Sequence, residues 1–163
     1  MTHDCLAFPT LADMSLKEQL RADMTTAMKA RDELRTATLR MVLTAITTEE
    51  VAGKSARELS DDEVLKVVAR ESKKRREAAE AFDGGGRPEL AERERAEGEV
   101  LDAYLPAQLS DAELSDIVRA AIESTGAAGP QAMGQVMKVV QPQVAGRAEG
   151  GRIAAVVREQ LGS

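Results

Sequence analysis

The feature that most constrains this 163-residue chain is a helix-start signature that occurs three times. Ser15, Ser60 and Ser110 are each followed three residues later by a glutamate. In this pattern the serine hydroxyl accepts a hydrogen bond from the glutamate's backbone N–H, and the glutamate carboxylate reaches back to the N–H of the serine. Three helix starts are therefore predicted before any apolar pattern is considered.

Apolar residues recur at helical spacing behind each start, and no run alternates as a half-buried strand would. The first stripe predicts either two helices or one bent helix, with the change at Asp32. The second start, at Ser60, predicts a helix to about Phe82. Glycines make residues 83–86 a predicted loop, and Pro88 suits the first turn of the helix that follows.

Three shorter stripes follow the last start, and Pro142 is predicted to end the second of them at Gln141. Helices this short are marginal alone, so we expect them to pack as one unit. Gly134, inside the second stripe, predicts a close approach of another backbone, since glycine costs about 1 kcal/mol relative to alanine in a helix. The predicted fold is all-α, with a helical N-terminal half at residues 14–105 and a three-helix unit at residues 106–163.

Residues 1–13 show no helical period and contain Pro9, so we expect a flexible leader. The only cysteine, Cys5, and the only histidine, His3, lie in this leader. A single thiol and a single imidazole exclude disulfide frameworks, zinc clusters and Cys/His catalysis. No chemical role is expected for either residue.

No other group of residues has the pattern of an active site. The glycines at 84–86 lack the Gly-Lys-Ser/Thr ending of a phosphate-binding loop and follow a helix, which favours an ordinary inter-helix loop. Glu49 and Glu50 could supply an acid and a base, but carboxylates at this density on helices usually form solvated faces. We therefore expect no catalytic residue, no metal site and no cofactor, and no catalysis by the isolated chain.

Charge and composition restrict the partners. The formal net charge is -6, which opposes indiscriminate adhesion to nucleic acid or anionic lipid. Aromatic residues make up 2% of the chain, too few for a base-stacking RNA module. No apolar run approaches the roughly 18 residues of a membrane span, and no secretory signal is visible. The expectation is a cytoplasmic protein without a membrane partner.

One basic stretch lies in the second predicted helix. Its members share one helix face at spacings of three and four, and they are Lys66, Arg70, Lys73 and Lys74. Such a stripe could follow nucleic-acid phosphates. Alternatively, Glu71, Glu77 and Glu80 neutralise it and the helix is simply soluble.

The last helix start is the second candidate for a phosphate site. Gly146 and Gly150 lie in the turn before this helix, with Arg147 and Arg152 beside them and Lys138 on the preceding helix. Free backbone N–H groups at a helix start, together with arginines, suit a phosphate. The alternative is a turn in which glycine supplies a positive φ.

Five groups of segments, in this order along the chain, resemble the YqeY-like family. They are LRMVLTAI at 39–46 with EEV at 49–51, KRREAAEAF at 74–82 with GGR at 85–87, YLPAQLS at 104–110, MGQVM at 133–137, and GRAEG at 146–150. Members of this family are similar to the helical and tail portion of the B subunit of the glutamine-dependent tRNA amidotransferase. Glu149 departs from the pattern, in which aspartate is usual.

The resemblance implies a helical N-terminal half and a three-helix tail-like unit. In the amidotransferase the related tail contacts tRNA, whereas the glutaminase and kinase-like chemistry belongs to parts with no counterpart in this chain. The resemblance therefore implies a tRNA-associated accessory protein whose partner is tRNA or an RNA-bound assembly. A helical adaptor for a protein partner is the alternative, and the family's label as a carbon-nitrogen ligase with glutamine as amido donor is a distant third.

We predict that the purified chain does not release ammonia from glutamine. Amide hydrolysis of this kind needs an activated nucleophile with a base beside it, and the only thiol is Cys5 in the leader. An ammonia assay at millimolar glutamine should give the rate of the buffer alone. Turnover that disappears on one substitution, such as Cys5→Ala, would support the ligase interpretation instead.

Overall fold

The computed structural model of the protein describes Thr10 and residues 13–162. The expected leader, with His3 and Cys5, lies almost wholly outside these residues. The fold class predicted from the sequence is confirmed, because the described residues form helices and contain no strand. The α-helices are α1 (Leu16–Lys29), α2 (Glu33–Val51), α3 (Asp61–Gly84), α4 (Pro88–Asp102), α5 (Asp111–Thr125), α6 (Met133–Val144) and α7 (Gly150–Gly162).

The chain divides into two compact units, one ending at Tyr104 and the other beginning at Leu105. The N-terminal unit contains α1 to α4, and the C-terminal unit contains α5 to α7. A short 3-10 turn, Pro130–Ala132, precedes α6 and was not expected from the sequence.

The helix starts predicted from the sequence are confirmed. Ser15, Ser60 and Ser110 each cap a helix with the complete reciprocal pattern. Pro88 occupies the first turn of α4, where its missing N–H leaves no bond unmade. Helix α3, which begins after Ser60, ends slightly beyond the expected Phe82. Gly84 is still helical, and the turn follows it.

The first stripe forms two helices, and Asp32 belongs to the junction between them. Its N–H donates to the Ala27 carbonyl oxygen at 2.9 Å, and its side chain accepts from the N–H of Arg35 at the start of α2. Arg31 before it has a φ of 59°, the left-handed conformation in which glycine is usual at a helix end. One aspartate thus ends α1 and begins α2.

The core of the N-terminal unit is aliphatic and closely packed. A Cβ added to Gly98 on α4 would lie 3.6 Å from the Cβ of Arg75 on α3, so the two helices approach closely at this glycine. The fully buried aliphatic side chains come from all four helices and include Leu20, Leu39, Val42, Ile46, Val64, Val67, Val68 and Leu101.

Tyr104 follows the end of α4 and contacts α1. Its hydroxyl donates a short hydrogen bond to the Asp23 carboxylate, and the ring is half-buried. Burial and this carboxylate raise the pKa of Tyr104 to about 12, because both disfavour the phenolate. The contact is therefore intact at neutral pH.

The C-terminal unit buries one stripe from each of its helices around a common centre. Its core consists mainly of Leu114, Val118, Ala121, Val136, Val140, Val144, Ile153, Val157 and Leu161. Each helix has only 12 to 15 residues, so this shared burial supplies the stability that none has alone.

Two sequence expectations for α6 are wrong. The helix does not end at Gln141 but continues through Pro142 to Val144. A proline in the last turn removes only one intrahelical bond, and Val144, buried at 1% exposure, holds that turn against the core. Nor does another backbone approach Gly134, because a Cβ there would meet nothing within 4 Å. This glycine lies in the exposed first turn, where the sequence pattern suggested an interior position.

We predict that Val136→Asp unfolds the C-terminal unit. Val136 is fully buried, and an unpaired carboxylate among aliphatic side chains costs several kcal/mol. The neighbouring exposed position offers a matched control, Gln135→Asp, which should leave stability nearly unchanged. Thermal unfolding followed by circular dichroism would detect the loss, and equal melting curves for the two variants would contradict the packing described above.

We predict that the chain's only tyrosine titrates near pH 12 and that Asp23→Asn shifts this titration toward 10. The folded pKa lies above the unfolded value of 10.0, so the contact contributes stability fully below pH 10 and loses that contribution as the pH rises to about 12. The chain contains no tryptophan, so absorbance at the phenolate band reports this one group. Titration of the folded protein at the ordinary value would contradict the pairing.

Candidate nucleic-acid interface

The arginines and glycines proposed for phosphate binding meet at one end of the C-terminal unit. Here α5 begins, α6 ends and α7 begins. The N–H of Leu109 donates to the Arg147 carbonyl oxygen at 2.7 Å, which joins the start of α5 to the turn after α6. Gln108 donates to the Gly146 carbonyl oxygen at 3.4 Å in the same place. The turn between α6 and α7 is therefore held against the segment before α5.

The Arg147 guanidinium is directed to the end of α6. Its Nε donates to the Val144 carbonyl oxygen at 3.2 Å and its Nη2 to the Gln143 carbonyl oxygen at 2.8 Å. A cation bonded to the last carbonyl groups of a helix also opposes the negative end of the helix dipole. Arg147 thus has a structural partner, while three of its five N–H donors are left for another acceptor.

Arg152, in the first turn of α7, forms an ion pair with Asp111 in the first turn of α5. The Nη2 and Nε atoms lie 2.6 Å and 3.1 Å from the same carboxylate oxygen. The Asp111 side chain is 95% exposed, so the pair lies in water and its net contribution to stability is small.

Carboxylates also occupy the helix starts at this end. The Glu149 carbonyl oxygen accepts from the N–H of Ile153, which makes Glu149 the residue that precedes α7, and its carboxylate lies near Gly151. Hydrogen bonds from Ser110, and then the charge of Arg147, lower the pKa of Glu113. This end of the C-terminal unit therefore carries acidic as well as basic side chains.

The two glycines differ in their roles. Gly146 has a φ of +78° and follows Ala145, whose φ of 47° is also left-handed. The turn therefore requires a positive φ at Gly146, which glycine adopts without steric cost. Gly150 begins α7 with ordinary helical geometry and has open space around it.

Lys138 is exposed on α6, six residues before its last residue, or about 9 Å along the axis. Among the described residues it forms no ion pair that would compete with a ligand.

The second basic face is largely neutralised by carboxylates of its own unit. Arg70 holds Glu49 through both nitrogens, with the shorter contact at 3.0 Å, and this bond lowers the pKa of Glu49. Lys74 lies 2.8 Å from Glu71. Lys73 and Glu77 are 3.9 Å apart, and Lys66 is exposed. The neutralising carboxylates considered from the sequence thus include two of the actual partners, and Glu49 was missed because it comes from another helix.

Glu49 and Glu50 each form an ion pair, Glu49 with Arg70 and Glu50 with Lys17. Glu50 is buried and accepts from the Lys17 ammonium at 2.7 Å and 2.8 Å. That bond, and the N–H of Leu59, lower its pKa. The Lys17–Glu50 pair joins α1 to the end of α2, and both carboxylates thus have cations from other helices as partners.

Sequence reasoning missed an apolar groove between α2 and α3. Met41 and Ala45 continue the apolar stripe of α2 at helical spacing, so the sequence pattern does not distinguish them from core residues. In the structure Met41 is 43% exposed and lines a groove of about 480 Å³. The only available signal was the width of the stripe, which is broader than one core-facing side requires.

The described part of the chain contains no cluster of three or more acidic, histidine or cysteine side chains suited to a metal ion. Nor is any helix within Thr10 and residues 13–162 both long and apolar enough to cross a membrane.

The chain is similar to known proteins over most of its length. A family model described as Yqey-like protein matches residues 17–161. An uncharacterized protein of Schizosaccharomyces pombe is 33% identical over 98 residues, which cover 60% of this chain and 77% of the relative. The altered inheritance of mitochondria protein 41 of Pyrenophora tritici-repentis, a mitochondrial protein, is 28% identical over 134 residues, which cover 80% of this chain and 71% of the relative.

Proposed function

Because the chain belongs to the YqeY-like family, we propose that it is an accessory protein that associates with tRNA or a tRNA-bound assembly through its C-terminal unit. The proposal assigns no chemical step to this chain. The cytoplasmic location expected from its sequence is part of the proposal, although one relative is named as mitochondrial.

The observation that carries the proposal is the meeting of Arg147 and Arg152 at one end of a three-helix unit that resembles a tRNA-contacting tail. Both guanidinium groups are oriented by protein partners, Arg147 by carbonyl oxygens and Arg152 by Asp111. Each retains N–H donors, and groups already held in position lose little freedom when they bind. Lys138 would add a third cation on the neighbouring α6.

The local charge sets the strength of such binding. Asp111, Glu113 and Glu149 lie at the same end as the two arginines. A phosphate would therefore bind only where counterion release exceeds this repulsion. Association should be weak and steeply dependent on salt.

A protein adaptor is the second candidate function. The observation that favours it is the exposed groove between α2 and α3 of the N-terminal unit. This groove plays no part in the argument for RNA binding.

We predict that the full chain retains tRNA at low salt with a log-log salt slope of about -2 to -3, as expected for three phosphate contacts. Lys138→Glu should weaken retention several-fold and reduce the slope by about one, because one phosphate contact is lost. Lys138 is exposed and makes no ion pair among the described residues, so the variant should fold normally. A filter-binding titration between low and moderate salt gives both quantities.

The matched control is Arg119→Glu, which makes the same change of charge in the middle of α5 on the same unit. It should leave the slope unchanged. Lys66→Glu tests the second basic face in the same way. No retention at low salt, or equal losses for Lys138→Glu and Arg119→Glu, would contradict the proposed interface and leave the adaptor function.

A further inference from the structure

The Met41 sulfur on α2 lies against a guanidinium group on α3. The side chain is 43% exposed, and the Nη2 of Arg75 lies 3.5 Å from its sulfur. A thioether sulfur is a weak acceptor, so this contact uses little of what an arginine N–H can donate. Met41 is therefore accessible from solvent and in contact with a strong hydrogen-bond donor.

Arg75 is held in place by two carboxylates of α4. Its Nη1 lies 3.2 Å from a Glu94 oxygen and 3.4 Å from a Glu97 oxygen, and its side chain is only 17% exposed. Both anions contact the same nitrogen, which fixes the plane of the guanidinium. The donors on the other edge of this rigid group, Nε and Nη2, consequently keep their direction.

The Nε of Arg75 lacks an acceptor. Among the described residues it is the only buried side-chain nitrogen or oxygen without a hydrogen-bond partner. Buried donors are almost always paired, and leaving one unpaired is unfavourable. Because Nε shares an edge of the guanidinium with Nη2, an oxygen on the neighbouring Met41 sulfur could accept from both.

Oxidation of Met41 to its sulfoxide would supply that oxygen. It replaces a weak acceptor by a polar S–O group. Met41 is exposed and has three rotatable side-chain bonds, so rotation can turn the new oxygen toward Arg75 without burying it unpaired. A hydrogen bond from the charged guanidinium to this oxygen would be stronger than the present contact with sulfur.

We propose that Met41 is a site of reversible oxidation by peroxide and that Arg75 binds the resulting sulfoxide. A sulfur lone pair attacks one oxygen of hydrogen peroxide, an S–O bond forms and the O–O bond breaks. The sulfur gives up two electrons, and the proton of the transferred oxygen leaves with the departing hydroxide as water. A sulfoxide reductase would reverse the change, oxidising two thiols to a disulfide and releasing the oxygen as water.

The oxidised state joins three helices more strongly than the reduced state. Met41 is on α2, Arg75 is on α3, and the carboxylates that hold Arg75 are on α4. The N-terminal unit is therefore more stable after oxidation, which is opposite to the usual effect of a sulfoxide in a core. This site does not depend on the proposed tRNA contacts.

The test uses two variants of the full chain, Met28→Leu and Met41→Leu, which each keep one of the two exposed methionines. Met28 is 51% exposed, and no hydrogen bond from a described residue reaches its sulfur. All other methionines are the same in the two variants, so their effects cancel in the comparison. After treatment with hydrogen peroxide, peptide mass spectrometry gives the oxidised fraction at each position, and circular dichroism gives the melting temperature.

Met41 should be oxidised within about tenfold of the rate at Met28, because both side chains are exposed. The change in melting temperature on oxidation should be more positive by a few degrees in Met28→Leu, which keeps Met41, than in Met41→Leu. In the unsubstituted chain, the NMR signal of the Arg75 Nε–H should shift on oxidation, and its exchange with water should slow.

Arg75→Lys keeps a cation beside Glu94 and Glu97 but removes the edge formed by Nε and Nη2. It should abolish the rise in melting temperature on oxidation, whatever its effect on the reduced protein. The proposal is overturned if Met41 stays reduced while Met28 is converted, or if the two variants shift equally. It is also overturned if the rise persists in Arg75→Lys, or if the Arg75 Nε–H signal of the unsubstituted chain does not change.

Discussion

Each carboxylate that is buried among the described residues of the N-terminal unit is matched by a cation, and much of the remaining structure depends on this pairing. Glu50 on α2 accepts from Lys17 on α1, and Glu97 on α4 forms an ion pair with Arg75 on α3. An unpaired charge in these positions would cost several kcal/mol. The ion pairs therefore restrict how the four helices of this unit can be aligned, while the aliphatic core supplies the burial that stabilises them.

The same ion pairing determines which basic side chains can also contact a ligand. Arg70 and Lys74 look like a phosphate-binding stripe in the sequence, but the fold gives them Glu49 and Glu71 as partners. In the C-terminal unit, Arg147 caps α6 and Arg152 faces Asp111. Positive charge is thus available mostly through donors left over from structural contacts, so the proposed association with tRNA would be weak and sensitive to salt.

The low aromatic content affects how closely the helices pack. With 2% aromatic residues, the cores rely on valine, leucine, isoleucine and alanine, whose small volumes require helices to pack closely. Gly98 allows such an approach between α3 and α4. The stripe on α2 is wider than its buried side, so Met41 and its neighbours are left exposed in a groove.

The sequence by itself determined the all-α fold and its helix starts, because caps and apolar spacing act within a few residues. Ser15, Ser60 and Ser110 are examples. It could not reveal the end of α6 or the surroundings of Gly134, since burial of Val144 outweighs the local effect of Pro142 and no neighbour approaches that glycine. Only the tertiary structure decided the partners of Arg147, Arg152 and Arg70 and the exposure of Met41. Charge pairing and burial join residues distant in the chain, and the spacing within one helix does not record them.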